Sequence, residues 1–195
     1  GFIGFHLAKS LLNKRNKIYL TDNFNRGKND NSFKELIKEP NVYFLKCDLT
    51  NKNEFKKFPK NIDYIFHLAA INGTRYFYEI PDQVLRVNTL INLNLLEFLK
   101  KNNKTKTIFA SSSEVYASTT EFLKNRIPSS EKIEIGIKDI SNVRFSYATS
   151  KIFGESAFYS YAKVHKIKFS IVRFHNIYGP RMGNEHVIPE LIKKI

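Results

Sequence analysis

Strand-like and helix-like stretches alternate along almost all of this 195-residue chain. That alternation limits the fold more than any other feature, because strand–helix–strand crossovers build parallel sheets. Helical spacing covers Phe2 to Asn13, and a strand pattern covers Lys17 to Asp22. The polar loop Asn23–Lys28 leads to a helix near Asn31–Lys38, which Pro40-Asn41 ends. Further strands are predicted at Val42–Cys47, Ile62–Leu68, Thr105–Ser111 and Lys168–Phe174. Further helices are predicted at Lys52–Phe58, Pro81–Lys101 and Ser146–Val164, with a last one starting near Pro189. Ile62–Leu68 is nearly all apolar, as a strand buried on both faces is. The expected class is α/β, a doubly wound, Rossmann-like parallel sheet covered by helices on both faces. Between the strand ending at Ser111 and the Tyr147 helix lie about 30 residues without a periodic pattern, and loops of that length often belong to active sites.

The bulk numbers set bounds. One domain is the default at this length, and 42% hydrophobic and 14% aromatic residues suit a globular chain. Cys47 is the single cysteine, so no internal disulfide and no metal–thiolate cluster is expected, which fits a cytoplasmic, reducing setting. His175 and His186 have no supporting ligand spacing, so no metal is expected. No apolar run reaches the roughly 20 residues that span a bilayer, so no membrane partner is expected. The net charge of +14 raises a nucleic-acid reading. The lysines are scattered, as at Lys34, Lys38, Lys56, Lys57, Lys100 and Lys101, and form no stripe interleaved with aromatics. No nucleic acid is therefore expected; the positive field suits an anionic, diphosphate-bearing substrate.

Two local patterns carry chemistry. The chain opens with Gly1-Phe2-Ile3-Gly4 and a helical run, then a strand that ends in Asp22. This looks like the second half of a dinucleotide-binding βαβ unit, with glycines against a pyrophosphate and an acid for a ribose hydroxyl. Neither a Met nor a strand precedes Gly1, so the expectation is an N-terminally truncated fragment. The second pattern is Tyr147-Ala148-Thr149-Ser150-Lys151, which puts a phenol and an ammonium on one face of a helix. A tyrosine titrates near ~10, and an adjacent lysine cation favours the phenolate. Bringing it down by roughly three units would take about 4 kcal/mol.

Several motifs in order give a resemblance over nearly the whole chain. They are Gly1–Gly4, His67-Leu68-Ala69-Ala70, Ser111-Ser112-Ser113-Glu114-Val115-Tyr116, the Tyr147/Lys151 pair, and Arg173-Phe174-His175-Asn176-Ile177-Tyr178-Gly179-Pro180-Arg181. The chain resembles the extended short-chain dehydrogenase/reductases of the NAD-dependent sugar-nucleotide epimerase/dehydratase family. The resemblance implies an NAD-binding domain over 1–175 and the start of a substrate domain over 176–195. It implies Tyr147, Lys151, Ser112 and Glu114 as catalytic residues. NAD would be held by Gly1, Phe2, Ile3, Gly4, Asp22, Asn23, Asp48, Leu49, Leu68, Ala69, Ala70, Asn88, Tyr147, Lys151 and Phe174. Substrate would meet Ser112, Ser113, Tyr147, Asn176, Arg181 and His186. Each has a plain structural alternative: Asp48 as a helix cap, the alanines as packing, and Glu114 as a solvated loop acid. His67, ending a buried strand, reads as a satisfied core histidine rather than a catalytic one.

The function so implied is NAD-dependent modification of a nucleotide sugar through a 4-keto intermediate, of epimerase or decarboxylase type, with UDP favoured. The alternatives are a nucleotide-sugar 4,6-dehydratase, disfavoured because Ser113 stands where one branch carries aspartate, and a catalytically inactive nucleotide-binding fragment. Asp22 argues against an NADPH-dependent reductase, although Arg26 lies nearby. The resemblance also implies a homodimer, through Pro81–Lys101 and the Tyr147 helix.

Overall fold

The computed structural model describes residues 1–12, 14, 16–117, 130–183, 187–192 and 194. The chain divides into two compact units, Gly1–Phe58 with Tyr178–Ile195, and Pro59–Ile177.

In the first unit, helix α1 (Phe2–Leu12) leads to strand β1 (Ile18–Asp22), helix α2 (Asn31–Leu36) and strand β2 (Val42–Lys46). β1 and β2 run parallel, from Ile18 opposite Val42 to Asp22 opposite Lys46. Phe5 and Ala8, three apart on α1, meet Ile18, Leu36 and Val42 in one apolar cluster. On the other strand face Tyr19 and Tyr43 stack at 4.9 Å, as residues in register across two strands do. α2 starts at Asp30, whose carboxylate accepts from Phe33 N at 2.9 Å. The predicted helix over Lys52–Phe58 is a 3-10 turn, Lys52–Lys57, capped by Asn51 rather than by Asp48.

The returning segment packs on the same unit. Arg181 lies 3.9 Å over the Phe5 ring and donates to Asp30 at 2.6 Å. His6 Nε2 is 2.8 Å from the Pro180 carbonyl oxygen, and Gly179, at φ 154°, faces the Phe2 ring. Helix α6 (Val187–Ile192) follows.

The second unit is a three-stranded parallel sheet in the order β3 (Tyr64–His67), β4 (Lys106–Ser112), β5 (Lys168–Phe174). Between them come α3 (Thr74–Glu79), α4 (Pro81–Lys101) and α5 (Ser146–His165). Pro81 starts α4, where its missing N–H costs nothing. α4 buries Val84, Asn88, Ile91, Asn92, Leu95, Leu96 and Leu99, a stripe at helical spacing that packs along α5. α5 covers β4: Phe109 stacks on Phe158 at 4.9 Å.

Gly154 is what lets α5 come so close. A Cβ there would stand 2.5 Å from Phe109 Cζ and 2.8 Å from Asn92 Nδ2. Gly154→Ala should therefore destabilise the unit by about 1–3 kcal/mol, the usual cost of overpacking. Chemical denaturation would measure it, and an unchanged midpoint would contradict the close approach.

Two expectations need correction. β3 is shorter than Ile62–Leu68 and is not buried on both faces: Tyr64 is 53% and Phe66 37% exposed. β3 is an edge strand among the described residues, with β4 as its single strand neighbour, and Tyr64 and Phe66, two residues apart, share its exposed face. The long stretch after β4 is also not patternless, because 3-10 turns form at Ser113–Tyr116 and Val143–Phe145. Residues 118–129 of that stretch lie outside the described residues. α3 leaves little trace in the sequence pattern because its six residues hold one buried side chain, Phe77.

Candidate active site

Tyr147 and Lys151 share the buried face of α5. The Lys151 ammonium lies 5.5 Å from the centre of the Tyr147 ring and 5.1 Å from that of Phe109. It donates to the Ala110 carbonyl at 2.7 Å, which pins the helix to β4 just before Ser112. Burial pushes Lys151 down to about 8, against a smaller upward pull from Glu155. The opposing pull is physical: a buried ammonium loses hydration, and a nearby carboxylate restores part of the loss. Tyr147 is 6% exposed, and its ring stacks on Phe77 at 5.1 Å and 15°.

Ser112 ends β4 in extended conformation, and its Oγ accepts from Glu114 N at 3.2 Å, capping the turn Ser113–Tyr116. Ser113 is half-buried in that turn. Glu114 is no solvated loop acid. Both its oxygens accept from Arg144, at 2.9 and 3.0 Å. Arg144 in turn lies 5.1 Å over the Phe77 ring. Arg144, Phe77 and Tyr147 thus form a chain of ring contacts, with Glu114 at its end.

Beneath lies a buried polar cluster. Glu155, 3% exposed, accepts from Ser111 Oγ at 2.6 Å and from Arg173 Nε and Nη2 at 2.9 and 2.6 Å. Arg173 also donates to the Tyr116 hydroxyl at 2.7 Å and to the Glu131 carbonyl at 3.1 Å. The Glu155 carboxylate holds the Arg173 guanidinium firmly charged. The cluster joins α5, β4, β5 and the turn that follows Ser112. His67 is a core residue: it is 4% exposed, Nε2 lies 2.8 Å from Asn92 Oδ1, and burial takes it down to about 4.

Asn88 is buried, and its amide accepts from Ile71 N and donates to Ile71 O and Ser150 Oγ. It therefore fixes the turn after β3 rather than presenting an open amide. Leu68 and Ala70 are half-buried in that turn and Ala69 is exposed. Phe174 ends β5 half-buried, and Asn176 is exposed beyond it.

In the first unit, Gly1 leaves open space where a Cβ would stand, and α1 begins at Phe2 and runs through Ile3 and Gly4. Asp22 accepts from Phe24 N at 2.8 Å and lies 3.0 Å from the Gly1 nitrogen. Gly27 packs on that carboxylate so closely that a Cβ would be 2.5 Å from it. Asn23 accepts from Asn25 N at 3.0 Å. Asp48 accepts from both Thr50 N and Thr50 Oγ1, and Leu49 is half-buried. Arg181, expected to meet substrate, packs within the first unit. Its side chain is 15% exposed and engaged with Phe5 and Asp30, which lowers the Asp30 carboxyl. His186 lies outside the described residues.

The family described as NAD dependent epimerase/dehydratase matches residues 1–195. The chain belongs to that family. A UDP-N-acetyl-α-D-glucosaminuronate decarboxylase of Bacillus cytotoxicus is 34% identical over 99% of this chain and 58% of its own length. A crystal structure of a UDP-galactose 4-epimerase aligns with TM-score 0.80 and 27% identity, over 100% of this chain and 59% of that one. The UDP-glucose 4-epimerase of Thermus thermophilus, solved with NAD, aligns with TM-score 0.74 and 27% identity, over 100% and 58%. The chain thus spans a little under three-fifths of these relatives, and its fold is their Rossmann-like α/β class.

The residues present fit the family's dinucleotide. Glycines at the start of a helix suit phosphate, and Asp22 closing β1 suits ribose hydroxyls. In the second unit, the buried ammonium of Lys151 beside Tyr147 suits the reacting end. Sequence reasoning missed Arg144, Phe77 and Glu155. Glu155 left a signal, one turn beyond Lys151 on the same helix face. Arg144 left none, because its partner is 30 residues away.

Proposed function

We propose that the protein converts a nucleotide sugar through a 4-keto intermediate, with NAD as bound cofactor, as an epimerase or decarboxylase. One observation carries this reading: the buried Tyr147–Lys151 pair, tied through the Ala110 carbonyl to the strand that ends in Ser112. The Tyr147 oxygen takes the proton of the sugar 4-hydroxyl, and Ser112 bonds the same sugar oxygen as charge develops. Lys151, charged, favours the phenolate and holds the cofactor's ribose. NAD, when bound, supplies the acceptor and later the donor of hydride. The C4 ketone then acidifies the neighbouring C–H and weakens a carboxylate bond β to it.

Dehydration also needs a proton for the leaving hydroxyl. Ser113 precedes Glu114 where one dehydratase branch carries aspartate, and both Glu114 oxygens are already engaged by Arg144. This favours epimerisation or decarboxylation over 4,6-dehydration. A UDP-linked substrate is supported by the names of the relatives above. Asp22 supports NAD over NADP. The same reading includes a homodimer through α4 and α5, whose outer surface exposes Leu85 and Phe153 beside Leu90 and Thr149. It places the enzyme in the cytoplasm, in keeping with the lone, buried Cys47.

Thermal shift tests the ligands. NAD at 100 times its Kd should add about 2.7 kcal/mol of stability, and UDP a further increment. NADP should add less than NAD. Absence of any shift with NAD and UDP would favour an inactive fragment instead.

A further inference from the structure

The Glu114–Arg144 pair joins the two segments that carry the proposed reacting hydroxyls. Glu114 stands two residues after Ser112, and Arg144 three before Tyr147. The pair is bidentate and half-open, with side chains 28% and 26% exposed. A pair so placed is sheltered enough to be strong and open enough to change partners. The guanidinium fork fits a carboxylate through two parallel N–H bonds, whichever molecule the carboxylate belongs to. Phe77, 5.1 Å beneath the guanidinium, keeps it in place while its partner changes.

We propose that Arg144 is a specificity residue for a nucleotide sugar whose ring bears a carboxylate, which replaces Glu114 in the guanidinium fork. The proposal rests on the function proposed above and selects the substrate class within it. The exchange swaps one carboxylate for another in the guanidinium fork. Glu114 is released beside the sugar with both oxygens open to accept a proton. A neutral sugar offers no replacement and leaves Glu114 locked. Without Arg144, Glu114 would repel an acid sugar.

The test is the affinity of the full-length protein, with NAD present, for UDP-glucuronate and for UDP-glucose, by calorimetry in a Tyr147→Phe background that stops turnover. Arg144→Gln should weaken UDP-glucuronate about 30-fold, the size of a lost hydrogen bond to a charged group, and change UDP-glucose little. Arg144→Lys, which keeps the charge and loses the fork, should weaken it by less. Glu114→Gln should act in the opposite direction and tighten UDP-glucuronate, because the internal competitor is gone. A merely structural pair would not give effects of opposite sign. Equal losses for both sugars in Arg144→Gln, or weaker UDP-glucuronate binding in Glu114→Gln, would overturn the proposal. If the unsubstituted protein turns over no nucleotide sugar, the proposed function fails, while the affinity ratios still judge Arg144.

Discussion

Tyr147→Phe should lower turnover of the nucleotide sugar by about four orders of magnitude, the upper range for loss of a positioned acid–base group. The substitution removes one oxygen. The ring remains, so its stack on Phe77 and its packing beside Lys151 persist. Burial at position 147 is unchanged in kind, because phenylalanine is at least as content in an apolar setting as tyrosine. Lys151 still reaches the Ala110 carbonyl. Stability and the NAD-induced thermal shift should therefore stay near their original values while product formation vanishes. Product analysis by chromatography, alongside melting curves, separates the two effects. Substantial remaining turnover would remove Tyr147 from the role of base and, with it, the main support of the proposed reaction.

The largest effect on stability is expected at Glu155. Glu155→Ala leaves the Arg173 guanidinium without its bidentate acceptor and the Ser111 hydroxyl without its partner, in a place nearly closed to water. Breaking a buried ion pair from one side costs about 3–5 kcal/mol. For a chain of this size that corresponds to a melting point lower by roughly 10 °C. Glu155→Gln, which keeps one acceptor oxygen, should cost less. The loss should reach the turn Ser113–Tyr116 as well, because Arg173 also holds the Tyr116 hydroxyl. A Glu155→Ala protein that melts within a degree of the original would show that Arg173 finds another partner.

Much of the architecture can be read from local pattern, and the reasons are specific. Pro81–Lys101 and Lys168–Phe174 match their elements residue for residue, since a long periodic run with a proline start, or a short run rich in β-branched and aromatic residues, has few rival conformations. The sequence overstates β3 because apolar composition reports hydrophobicity, not how many neighbours a strand has. Phe66 is as apolar as any core residue and is still partly exposed, because nothing in the local sequence reports whether another layer covers that face. Tyr147 and Lys151 are legible because their spacing is itself the geometry. The environment of Glu114 is not: its partner Arg144 lies 30 residues away, and no local rule pairs residues so far apart. Arg181 illustrates the same limit from the other side. Its motif is local, but its partners, Phe5 and Asp30, lie near the opposite end of the chain.

The grip of residues 178–181 on the first helix has a mechanical consequence. Gly179 sits against Phe2, Pro180 against His6, and Arg181 against Phe5. Tension applied to the polypeptide downstream of Arg181 is thus borne by side chains of the first turn and a half of α1, the turn that opens with Gly1.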